Sequence, residues 1–306
     1  MAESRKALPV AILYSVAVWL LAGLVQHHWW LQFGCFALST FLIMELNRLN
    51  MLIRIYSRMV SVSFIVLSVA AVFLFPSFRG AFTLMCFIAS LLPFYNCYQD
   101  KETPGWTFYA FLCLGMGSLA DIHLLYFVPV FWLMMATIVY SLCWRTFIAS
   151  VIGLLTPYWF WVPWMLWQGE GGMMPLVEQV SGLGDIRMPF DFSVLSFQQL
   201  LMLAVVILLG VTGGIHFVRK SYLDKIRTRQ LYYSFFIIAL SALLFLALQP
   251  QHYDLLMRIL IVAVSPLIGH FLALTNTRFT NIAFFVIAGA VFILTVLNLW
   301  MSSFPS

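Results

Sequence analysis

The chain has 306 residues, 63% hydrophobic and 17% aromatic but only 9% charged, with a net charge of +5 and a mean hydropathy of +0.98. A soluble domain carries roughly 25% charged residues, so a soluble globular enzyme is excluded. The 29 Phe, 11 Trp and 15 Met exclude disorder, and five Cys in a chain this long do not make a disulfide framework.

A helix that crosses a bilayer needs about 20 apolar residues, somewhat fewer where its polar ends snorkel. Eleven stretches qualify. The first, Leu8 to Val25, follows Arg5 and Lys6, which resemble a signal n-region; no small-x-small cleavage site follows, so this span is expected to stay as an anchor. After His27 and His28 the second span runs from Trp29 to Met44. Residues 45–58 place Asn47, Asn50, Arg54, Ser57 and Arg58 on one helical face and Leu49, Leu52, Ile53 and Tyr56 opposite, which predicts an interfacial amphipathic helix. Met59 to Phe75, Ala81 to Tyr98, Trp106 to Leu119 and Leu124 to Leu142 follow, the fifth being short like the second. Phe147 to Trp167 leads into the longest polar segment, 168–196, where Met173, Met174, Val177, Ile186 and Phe190 predict a loop lying back on the membrane. Phe197 to Val218 precedes the basic loop 219–230, and Leu231 to Leu248, Leu256 to Leu274 and Ile282 to Met301 complete the series. The runs are continuously apolar, without the alternation of barrel strands.

The expected fold is therefore all-α: one polytopic membrane domain over 1–306 with about 11 transmembrane helices. A cytoplasmic N-terminus puts 13 of the 16 Lys and Arg and 5 of the 11 acidic residues inside, a net +8 there and −3 outside. This obeys the positive-inside rule and predicts a multi-pass protein of the bacterial inner membrane. Arg54, Arg58, Arg219, Lys220, Lys225, Arg227 and Arg229 are the expected contacts to anionic lipid headgroups. The basic balance is explained by that leaflet, and nucleic acid is not an expected partner.

Ionisable groups at the hydrocarbon edge are costly and mark candidate sites. The turn Gly115-Met116-Gly117-Ser118-Leu119-Ala120-Asp121-Ile122-His123 sets a carboxylate two residues from an imidazole. In a turn both point into one cavity, so Asp121 and His123 are candidate orienter and base; the plainer alternative is that Asp121 only caps the next helix. Outer groups that could join them are His27, His28, Asp185, Asp191, His252 and Asp254. Arg79, Arg187 and Arg258 are the outer cations and the candidate ligands for a lipid phosphate. The six His are not expected to converge on a metal: His216 lies near the inner side, and His270 has no companion at helical spacing. No cofactor motif is present, and the Cys read as small apolar residues.

The order Gly115-x-Gly117-Ser118-Leu119-Ala120, a helix containing Pro129, Trp144-Arg145-Thr146-Phe147, then Gly153-Leu154-Leu155-Thr156-Pro157-Tyr158 resembles an uncharacterised Bacteroidota-type family of polytopic inner-membrane proteins. The same segment is similar to part of the membrane glycosyltransferases that use polyprenyl-phosphate sugars. That second resemblance implies catalysis at the periplasmic face by an acid in the first outer loop. Here that loop holds only His27, His28, Trp29 and Trp30, so Asp121 would have to substitute. The leading expectation is a non-catalytic subunit or scaffold of a cell-envelope complex, with membrane lipids and envelope proteins as partners. A glycosyltransferase-like enzyme on a lipid-linked substrate and a transporter or flippase are the alternatives.

Overall fold

The computed structural model describes residues 6–55, 57–167, 181, 192–274 and 278–303. It is 85% helix, with no strand among the described residues. Eleven α-helices are described: α1 (Ala7–Leu21), α2 (Trp30–Asn50), α3 (Met59–Ala70), α4 (Phe78–Asn96), α5 (Pro104–Ala120), α6 (Val128–Thr137), α7 (Trp144–Trp167), α8 (Phe197–Lys220), α9 (Ile226–Leu248), α10 (Tyr253–Leu274) and α11 (Arg278–Ser303). Each apolar stretch of the sequence coincides with one of them. Six, namely α4 and α7 to α11, are long and apolar enough to cross a membrane. These are the helices of a multi-pass membrane protein.

Local chemistry starts the helices where they start. Ser196 and Gln199 form a reciprocal capping box at α8, the Ser77 hydroxyl accepts the Gly80 N–H at α4, and prolines open α5 and α6. The amphipathic helix expected over 45–58 forms only as far as Asn50. There Met51 turns left-handed at φ 46°, the Asn50 amide bonds the Leu46 carbonyl, and Asn47 reaches the Ser57 carbonyl. These local bonds compete with continued helix, and Leu52 and Ile53 are buried instead of floating on an interface. Tyr56 lies outside the described residues. The basic loop is also tighter than 219–230, because α8 extends through Lys220 and α9 begins at Ile226. Most of the 168–196 loop lies outside the described residues.

Helix α10 is the axis of the bundle. Of its apolar window 89% is buried, against 17% for α7 at the periphery. Around it stand α3, α4, α8 and α9; α5 packs between α4 and α7, and α1 and α11 lean on α3. Close crossing of α3 and α10 rests on Gly269, where a Cβ would come within 2.9 Å of the Val60 backbone. Gly153 does the same for α7 against α5, since its Cβ would run into the Phe108 carbonyl. Small residues at crossings are how apolar helices approach without a hydrophobic drive between them.

The described connections fall at two ends. At one end Arg258 donates to the Leu74 carbonyl, Gln32 to Pro76 and Tyr253 to Gln199, joining the starts of α2, α4, α8 and α10. At the other, Arg227 donates to Asn50 and to the Tyr95 carbonyl, and the Gln99 N–H to Val139. The first end carries Asp121; the second carries the basic residues.

Candidate active site at the Asp121 end

Helix α5 stops at Ala120 because Asp121 leaves the helical region, with φ −138° and ψ 106°. The six-residue 3-10 helix Ile122–Phe127 then begins with Asp121 as its cap. One carboxylate oxygen accepts both the backbone N–H of His123, at 3.1 Å, and its ring Nδ1, at 2.9 Å. Asp121 thus caps the turn and also binds the imidazole.

The bond to Nδ1 fixes the His123 tautomer. A carboxylate only accepts, so Nδ1 carries a proton, and in the neutral ring Nε2 is the basic nitrogen. That Nε2 is buried and has no hydrogen-bond partner. Asp121 and His123 side chains keep 27% and 16% of their surface, so the pair sits at a rim and not in the core. Burial pushes the Asp121 carboxyl up, but the ring N–H, charge and backbone N–H of His123, with the charge of His252, outweigh it and hold the carboxyl below its usual range.

His252, from the turn before α10, stacks on His123 with ring centroids 3.6 Å apart. Gln251 donates to His252 Nε2 at 3.1 Å and to Gln249 at 3.0 Å, and Tyr126 stands edge-on to both imidazoles. A carboxylate, an oriented imidazole and a second imidazole meet at this rim.

Arg79 lies near this group by register. The Thr83 hydroxyl of α4 donates to the Arg79 carbonyl and lies 3.4 Å from the Gly117 carbonyl of α5. In these antiparallel helices Arg79 and Asp121 each lie one turn beyond that contact, toward the same end, and Arg79 is exposed. Arg258 is placed otherwise. It is 7% exposed, bonded to Asp254 at 3.1 Å and to the Leu74 carbonyl, and so ties α10 to the α3–α4 connection. Arg187 lies outside the described residues.

At the basic end Arg54, Arg58, Arg219, Lys220 and Lys225 are exposed, while Arg227 braces α9 against α2 and α4. A second acid–imidazole pair is also there. His270, wholly buried in α10, bonds Asp224 through Nε2 at 3.0 Å, and the His216 ring of α8 lies 5.4 Å away. Sequence spacing assigned His270 no companion, because its partners come 46 and 54 residues earlier on other elements. Among the described residues no three His, Cys, Asp or Glu side chains are placed to hold one metal ion. Compared with family models, curated proteins and solved structures, the chain matches none.

Proposed function

We propose that the chain is a multi-pass enzyme of the bacterial inner membrane, crossing it eleven times with the basic end in the cytoplasm and the Asp121 end outside. The observation that carries the catalytic part is the His123 imidazole, held by Asp121 with its basic nitrogen buried and unpartnered. That is the arrangement of a general base and its orienter. The fitting reaction is glycosyl transfer from a polyprenyl-phosphate sugar. His123 Nε2 takes the proton of the acceptor hydroxyl, the acceptor oxygen bonds the sugar carbon, and the bond from that carbon to the phosphate oxygen breaks. Arg79 holds the departing lipid phosphate. Asp121 supplies from the third outer turn the acid that the resembling glycosyltransferases carry in their first outer loop.

The test is lipid analysis of cells that depend on this protein. With His123→Gln or Asp121→Asn, a polyprenyl-linked precursor accumulates at least tenfold at normal protein level, and Arg79→Gln gives a smaller rise. Unchanged lipids and a normal envelope with Asp121→Asn would remove the catalytic reading. The scaffold reading would then stand, and α7 favours it: Trp144, Trp159, Trp164 and Trp167 are 59–88% exposed along the least buried helix, a surface suited to a partner.

A further inference from the structure

The basic end of the bundle holds a buried cluster that the Asp121 chemistry does not use. From Val218 to Ile226 every residue is exposed or half-buried except Asp224, whose side chain keeps 2% of its surface. Its 3.0 Å bond to His270 Nε2 therefore tethers the α8–α9 connection to α10. A carboxylate only accepts, so His270 Nε2 carries a proton.

Four polar atoms around that tether are buried without a hydrogen-bond partner: Asp224 Oδ1, His270 Nδ1 and both ring nitrogens of His216. Buried polar groups are nearly always paired, and ionisable ones inside a membrane protein mark proton-handling sites. None of the four has appreciable accessible surface, which excludes a bound molecule and leaves a proton as the ligand.

The surroundings oppose that proton while the end is closed. His216 stands 5.4 Å from His270 and edge-on to Phe271 at 5.3 Å. Among the described residues, the charged and titratable side chains around the two rings are Lys220 of α8, Arg54 of the α2–α3 connection, Asp224, and Tyr232 of α9. Tyr232 turns its hydroxyl to the Pro266 carbonyl, and Arg54 and Lys220 repel a positive imidazole. A protonated His216 would bury a charge and two N–H groups, while Asp224 Oδ1, the free acceptor of the cluster, bonds neither ring.

This end is also built to move. Helix α8 meets α10 closely at Gly213, where a Cβ would lie 2.7 Å from the Leu267 backbone, and His216 is one turn beyond that contact. Gly213 and Gly214 weaken the helix at that point. Beside Gly214, Val218 and Arg219 runs an apolar groove of about 480 Å³ between α8 and α9, so one flank of these last turns is unpacked.

We propose that His216 and the Asp224–His270 tether form a proton-operated latch. Acidification at the basic end puts a proton on His216, which only an end opened to water accommodates, and the last turns of α8 with the connection to α9 swing away from His270. The closed form is favoured above the ordinary imidazole value of about 6.5 and loses ground as the pH falls below it. An imidazole that titrates only in the open form raises the open population about thirtyfold between pH 8 and pH 5.

Hydrogen exchange of the full chain in lipid nanodiscs, read as protection factors so that the intrinsic pH dependence of exchange is divided out, tests this. Protection over 214–226 should fall about tenfold to thirtyfold from pH 8 to pH 5, while that of the α10 amides over 255–265 holds. His216→Phe and His216→Gln, neither of which titrates, should each keep protection over 214–226 level between the two pH values. Equal wild-type protection at both pH values would overturn the latch. So would a fall that persists in full in both variants, or one shared equally by 255–265, which is unfolding of the whole bundle. None of these readouts involves Asp121 or His123.

Discussion

Asp121 serves two neighbours with one carboxylate, the backbone and the ring of His123. Its carboxyl titrates lower in the fold than in the unfolded chain, whose value is about 3.9. The resulting stabilisation is fully present above that unfolded value and is lost as pH falls through the lowered folded value. Asp121→Ala should therefore cost about 1 kcal/mol near pH 7. In detergent unfolding experiments the gap to wild type should narrow below about pH 4 and close under the folded value; a gap independent of pH would contradict the assignment. The Asp121–His123 pair was legible in the sequence because two residues in one turn are neighbours whatever the rest of the fold does. Arg258 was not, since a cation near a helix start reads as surface, and only the packing of α10 against Leu74 and Gly80 encloses it. His270 was equally hidden: its acid comes from the connection between α8 and α9.

Among the elements, α10 bears the most structural constraint. It is buried on nearly every side, and at Gly269 it approaches α3 closely enough that no Cβ fits without backbone movement. Gly269→Val should destabilise the protein by about 3 kcal/mol or more, beyond an ordinary overpacked core site. Gly289, with open space around it, is the matched control: Gly289→Val should change thermal stability little. Equal effects at the two sites would show that the α3–α10 crossing is not tight. Helix positions were readable from hydropathy alone, because each needs a long apolar run. The end of α2 was not: the pattern over 45–58 fits a helix, and the side-chain bonds of Asn47 and Asn50 that end it depend on where residue 57 and Arg227 arrive.

On the scale of the whole molecule the charges of the described residues lie at two ends about one membrane apart. His252 and His270 bracket α10, and 18 residues at 1.5 Å per residue separate them by about 27 Å, close to the thickness of a hydrocarbon core. The basic end has its cations and the Asp224–His270 pair; the other has Asp121, His123, His252 and Arg79. The placement of the Asp121 site outside the cell is the claim on which the proposed chemistry depends. Cys143 offers a probe of it, since it lies between α6 and α7 at the basic end, where Thr146 holds its thiol below the usual range. In a variant whose other four Cys are replaced, Cys143 should react with a membrane-impermeant maleimide only after the cells are permeabilised. A cysteine introduced by Arg79→Cys, level with Asp121 on the neighbouring helix, should react in intact cells. Labelling of Cys143 in intact cells, with Arg79→Cys protected until permeabilisation, would place the site in the cytoplasm and contradict the account.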